Sequence, residues 1–276
     1  MLLTSGGFMA TNLAEAGSIA YQSDAARALY PATNLLLAHR TRRWRVAWTG
    51  TSGDAVAVGI DLGSAVTPTA FALIDCNVVS GSVKLTGSDD AAATASIVSW
   101  TLPLATATTS GVRLWYPAAG EQATGTYGAR RYWRFEFAES TLGPHGISSD
   151  LEVGTVWLGT HDAIRPESGA KLEIEDPSIR IQSYGGAEWI DALTAFRSVE
   201  FDIRGIDHAT LYTLQAKAFG AASSHVLVDL HAYSPTAAIR DGGLVYGKLD
   251  AKGGVTAALN SVVENTLTLR VVEARR

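Results

Sequence analysis

The sequence predicts an all-β, mainly antiparallel fold in two domains, with one helix. Two observations carry that prediction. Short segments rich in β-branched and aromatic residues alternate apolar and polar positions at period two, first between Trp44 and Phe137 and again from Val156 onward. Clusters of Gly, Ser, Thr, Asp and Pro separate them, without the helical crossovers that a parallel sheet needs. The length of 276 residues suits two domains at roughly 100 to 200 residues each.

In the first block, Val56, Val58, Ile60 and Leu62 alternate after Trp44, followed by Val83 and Leu85, then Val112, Leu114 and Tyr116, and finally Tyr132, Trp133, Phe135 and Phe137. Thr49-Gly-Thr-Ser-Gly-Asp54 and Gly87-Ser-Asp-Asp90 read as turns between them. Antiparallel strands joined this closely predict a sandwich or jelly roll.

The stretch from Glu139 to Asp150 is rich in Gly, Ser and Pro and has no apolar period, so the expected division is 1–145 and 146–276. Val156-Trp-Leu158 opens the second block. Lys171-Leu-Glu-Ile-Glu175 is expected to turn through Asp176-Pro177 and pair with Ser178–Gln182 as a hairpin, and Ser198–Arg204 alternates the same way. Asp207–Phe219 reads as the helix: Asp207 caps it, Leu211, Leu214, Ala218 and Phe219 lie near one face, and Gly220 stops it. Later strands are expected over His225–His231, Leu244–Leu249 and Thr266–Val272.

Composition bounds the function. Lys plus Arg number 22 and Asp plus Glu 27, a net charge of −5, which argues against a general nucleic-acid binder. Only 18% of residues are charged, against about 25% usually, and mean hydropathy is +0.11. No stretch approaches the roughly 18 apolar residues of a spanning helix, so the apolar excess points to subunit contacts. The N-terminus lacks the basic and apolar regions of a secretory signal, and synthesis in the cytoplasm is the default expectation.

No catalytic set is legible, and neither a cofactor nor a metal is expected. Gly-x-Ser-x-Gly, a phosphate loop and His-Glu-x-x-His are missing. Cys76 sits in an apolar run and reads as a small buried hydrophobe. His161 and Asp162 are adjacent and would point to opposite faces of a strand, and His225 and His231 lack a third metal ligand. His208, in the helix's first turn, reads as a surface residue. Ser88, Asp89 and Asp90 supply too few oxygens for calcium and read as a solvated turn.

Two groups are candidates for binding. His39-Arg-Thr-Arg-Arg-Trp-Arg45 carries four arginines, and Arg40, Arg42, Arg43 and Arg45 are expected to meet an acidic patch on a neighbouring subunit, with Trp44 turned into the core. Trp48, Trp115 and Tyr116 border predicted loops and are the aromatics available to stack on a sugar ring.

The order Pro31-Ala-Thr-Asn-Leu-Leu36, Trp44, Val58-Gly-Ile-Asp-Leu-Gly63, Val83-Lys-Leu-Thr-Gly-Ser-Asp89 and Arg130-Arg-Tyr-Trp-Arg-Phe-Glu136 resembles a galactose-binding-like jelly roll of the discoidin or coagulation-factor C-type group, over residues 30–138. The later order of Val156-Trp-Leu-Gly159, Ser178–Ser183, Arg197–Asp202, the helix and Leu269–Glu273 resembles the ends of tail-tip and distal-tail proteins of long-tailed bacteriophages. That second resemblance implies a structural role in the virion: a homo-oligomeric ring joining the tail tube to hub, baseplate or receptor-binding proteins. The jelly roll implies the alternative, a glycan-binding module or adhesin.

Overall fold

The computed structural model describes residues 6–24, 26–48, 55–104, 111–116, 128–142, 150–164, 170–182, 188–191, 195–220, 225–231, 243–250, 255–259 and 265–274. Two compact units emerge: Thr11–Asp162, and Met1–Ala10 together with Ala163–Arg276. The first is an insert. The chain opens with β1 (Gly6–Met9) in the second unit, departs, and returns through strand Asp162–Ile164, which lies next to β1 in the same sheet.

The insert contains β2 (Ser18–Gln22), β3 (Trp44–Ala47), β4 (Val56–Val66), β5 (Ala70–Ile74), β6 (Val78–Ser88), β7 (Val98–Leu104), β8 (Val112–Trp115), β9 (Arg130–Leu142), β10 (Asp150–Val153) and β11 (Thr155–Gly159). They pair antiparallel as a five-stranded sheet β2-β4-β9-β6-β7, a three-stranded sheet β11-β5-β8 and the pair β10-β3. Period-two alternation turns Val58, Ile60, Val83, Leu85, Trp100, Trp133, Phe135 and Phe137 onto one face, where they share a single core with Phe71, Leu73, Val156 and Leu158 of the smaller sheet. Phe71 packs 5.2 Å from Trp133 and 5.7 Å from Trp100, so aromatic contacts join the two sheets.

Here the structure corrects the expected division at 145/146. β10 and β11 pair with β3 and β5, and their Leu151, Val153, Val156 and Leu158 are buried in the sandwich core, so residues 150–159 belong to the first unit. The sequence's linker signal falls mainly on residues 143–149, outside the described residues.

The second unit continues with β12 (Asp162–Ile164), β13 (Lys171–Glu175), β14 (Ile179–Gln182), β15 (Glu188–Asp191), β16 (Phe196–Ile206), α1 (His208–Gly220), β17 (His225–Asp229), β18 (Leu244–Leu249), β19 (Val255–Leu259) and β20 (Asn265–Glu273). Its sheet runs β12-β1-β17-β18-β20-β16-β13, with β19 also on β20. α1 buries Leu211, Leu214 and Ala218 in the core that Val199, Phe201, Leu267, Leu269 and Val271 build. Asp207 caps it as expected, accepting from the Thr210 amide at 2.7 Å.

The expected hairpin from Lys171 to Gln182 does not form. β13 pairs with β16 and β14 with β15. Both arms alternate, but alternation specifies a face and not a partner. Asp176 instead accepts from the Ser178 amide at 3.0 Å, a local turn that separates the arms.

Candidate functional site

The arginine run is folded inward. Arg40 has a fully buried side chain, and its Nε and Nη2 each donate to Asp75 at 2.7 Å. β3 pairs with β10 so that Arg45 lies directly opposite Glu152, whose buried carboxylate meets Arg43 at 2.9 Å and Arg45 at 3.1 Å. Asp150 holds Arg27 through two bonds of 2.7 and 3.0 Å. The Arg45 guanidinium also lies 4.0 Å from the centre of the Tyr30 ring. A partner contact through all four arginines is therefore corrected for Arg40, Arg43 and Arg45: their acids come from the same chain, brought in reach by strand pairing. Of the four only Arg42 is exposed.

The proposed sugar-stacking aromatics are core residues. Trp48 is 3% exposed and sits edge-on to Phe137 at 6.5 Å, while Trp115 and Tyr116 are each 6% exposed. The pairing of Trp115 with Phe71 directs that ring into the sandwich core, which Trp48 joins just past β3, while Tyr116, one residue further on, is covered beside His161. The loops 49–54 and 117–120 beside them lie outside the described residues.

The remaining chemical candidates are structural. Asp90 accepts from the amides of Thr94 and Ala95 and from the Thr94 hydroxyl, a self-closed turn that holds its carboxyl below the usual range. Among the described residues no group of three His, Cys, Asp or Glu is placed to hold a metal. His225 stacks on Tyr246 at 5.0 Å, whereas His231 lies past the end of β17. Cys76 is buried, and burial raises its thiol pKa.

His161 turns Nδ1 to the Thr69 hydroxyl at 3.1 Å and its ring to Tyr116 at 4.8 Å. Burial holds its pKa below 6.5, against smaller raising contributions from Thr69 and Asp162. The unfolded chain thus takes up the proton first, so this residue's share of stability is complete above about pH 6.5 and is lost as pH falls through the lower folded value. His161→Gln should shrink the fall in melting temperature between about pH 7 and about pH 5. An unchanged fall would refute the assignment.

An open polar face remains on the five-stranded sheet, opposite the core. β9 turns Trp133, Phe135 and Phe137 inward, which leaves Tyr132, Arg134 and Glu136 on the outside. Asp61 of β4 lies opposite Tyr132, and Gly59 opposite Arg134. On β2 the register slips between Ile19 and Tyr21. Ile19 packs on the core opposite Ile60, and the bulge brings Tyr21 to the outer face opposite Gly59. A Cβ at Gly59 would stand 3.0 Å from the Tyr21 Cβ, so glycine is what admits the tyrosine here.

The Arg134 guanidinium lies 4.3 Å from the Tyr21 ring centre and 3.3 Å from Glu136. Beside it Arg131 forks onto Asp61 with two bonds of 2.7 Å and lies 5.1 Å from the Tyr132 ring. Two sets of tyrosine, arginine and carboxylate therefore share one partly exposed face. Arginines donate, carboxylates accept, and the rings offer apolar surfaces, a combination that meets the polar rim and the C–H face of a sugar ring. The sequence holds half of this signal in the alternation of Arg130–Phe137. Tyr21 has none, because a bulge is not legible in a period-two pattern.

No protein-family model and no curated protein sequence matches the chain. Among solved structures, chitosan-binding module 1 of a chitosanase/glucanase from Paenibacillus sp. IK-5 aligns with a TM-score of 0.40 and 17% identity, over 54% of this chain and 98% of the module. CBM32-3 from a family 31 glycoside hydrolase of Clostridium perfringens aligns at 0.40 and 16%, over 53% of this chain and 93% of the module. Another Clostridium perfringens module, CpGH89CBM32-6, aligns at 0.37 and 13%, over 54% and 99%.

Proposed function

We propose that the chain is a non-catalytic glycan-binding protein, and that the outer face of its five-stranded sheet receives the sugar. The observation that carries this reading is the β2 bulge, which turns Tyr21 out of the core register and lays it beside Arg134 above Gly59. Bulges recur where a side chain is re-aimed for function. Arg131 is matched by Asp61 and Arg134 by Glu136, so the two sets are charge-balanced and suit hydroxyl-bearing neutral sugars better than acidic ones.

An array of neutral oligosaccharides, followed by calorimetric titration of the best ligand, tests the proposal. Tyr21→Ala and Arg134→Ala should each weaken binding about tenfold or more, equivalent to about 1.4 kcal/mol. Binding to no neutral oligosaccharide, or variants that bind as well as the parent, would contradict it.

A structural subunit of a phage tail tip, assembled as a ring with tail tube and hub proteins in the virion, is a second reading. One observation favours it: apolar side chains left uncovered on the outer strand of the second unit, Leu172 at 49% and Ile174 at 76% exposure. Electron microscopy of particles carrying the chain tests this reading, with a ring density at the tail end as the expected result.

A further inference from the structure

We infer that β13 is a self-association edge, across which two copies of the chain pair antiparallel about Glu173. β13 ends the hydrogen-bonded strand path, and among the described residues no strand pairs with its outer side. Edge strands are usually blunted by brevity, charged side chains, proline or bulges, because an unpaired row of amides and carbonyls templates further pairing; β13 carries its charges on one face only. Lys171–Glu175 is a regular five-residue strand with no proline and no register shift against β16.

Leu172 lies opposite Val199, which is buried in the core beneath α1. Leu172 thus continues the apolar face of the sheet, and Ile174, opposite Arg197, stands two residues along the same edge, where solvent reaches both. Burying that surface is the driving force for pairing.

The strand's sequence selects a second copy as the occupant. In an antiparallel pair centred on Glu173, Leu172 faces the partner's Ile174 and Lys171 faces the partner's Glu175, each contact occurring twice by symmetry. Side chains directly opposite share a face, so this register keeps apolar against apolar and charge against charge. The two Glu173 carboxylates meet at the centre. Lys171 and Arg270 of each chain offset their repulsion: the Lys171 ammonium lies 2.5 Å from Glu173 of its own chain, at the rim where it also faces the partner's Glu175, and Arg270 Nη2 lies 3.9 Å from Glu173 and 3.2 Å from Glu175.

A five-residue edge falls at the small end of protein interfaces, so association at micromolar concentrations is expected. Sedimentation of the full 29.1 kDa chain across about 1 to 200 µM should show conversion from one copy to two. Lys171→Glu and Glu175→Lys should each remain monomeric at the top concentration, because each sets like charges opposite one another twice. An equimolar mixture of those two variants restores both opposite-charge pairs and should dimerise again. Lys171 is exposed and Glu175 half-exposed, and unchanged circular dichroism of the variants checks that folding is intact. A parent chain that stays monomeric, single variants that dimerise like the parent, a mixture that does not recover, or a species larger than two copies would each overturn the proposal.

Discussion

Replacing Arg40 with Ala should destabilise the sandwich unit by about 3–5 kcal/mol, the range for stripping one partner from a buried ion pair. Its side chain is wholly buried and that of Asp75 is 6% exposed, so a carboxylate deprived of this guanidinium has little access to water. At about 2–4 °C per kcal/mol for a unit of this size, the melting temperature should fall by roughly 10 °C. Arg40→Lys should recover little of this, because an ammonium does not reproduce the two-pronged contact. Arg40→Met combined with Asp75→Asn should lose less than Arg40→Ala, since no charge is left buried alone. Asp75 has a φ of 52°, and Asn tolerates that left-handed conformation well. Denaturant melts of the three variants check the order. A loss below about 1 kcal/mol for Arg40→Ala would mean that solvent reaches the site.

The second large effect is expected at Trp133. Its ring is fully buried, stacks on Trp100 at 6.1 Å with 16° between planes, and touches Phe71 of the opposing sheet at 5.2 Å. Its Nε1 donates to the Arg130 carbonyl at 3.1 Å. Gly87 lies against the ring, where a Cβ would come within 2.9 Å of it, so the site is shaped around this side chain. Trp133→Ala should cost about 3–5 kcal/mol, and Trp133→Phe clearly less because most of the packing survives. Urea melts followed by tryptophan fluorescence would show the ranking. Equal losses for the two variants would contradict a packing origin.

Much of the fold is legible in the sequence because a strand with one buried face must alternate. Val56, Val58 and Ile60 on β4, and Trp133, Phe135 and Phe137 on β9, announce their strands and the face they bury. The helix is legible as well, through Asp207 and the spacing of Leu211, Leu214 and Ala218. Partners are not. β1 pairs with β17, with register partners Phe8 and Val228 far apart in the chain, and no local pattern marks that the sandwich is inserted between them.

The candidate binding residues are less legible, because charge and aromaticity state what a side chain can do but not where it points. The arginines of residues 40–45 stand out in the sequence, yet three of them meet Asp75 and Glu152 inside the unit. Trp48 and Trp115 stand beside predicted loops and lie in the core. Tyr21 draws no attention in Ser18–Gln22, and only the bulge and the missing side chain of Gly59 place it beside Arg134.

A sugar is expected on the outer face of the five-stranded sheet. Hydrogen–deuterium exchange of the full chain, with and without the best neutral oligosaccharide at saturating concentration, locates the contact without altering any residue. Protection concentrated in Ser18–Gln22 and Arg130–Phe137 is the expected result, together with its loss in Tyr21→Ala. Protection confined to other segments, or none while binding is saturated, would contradict the account.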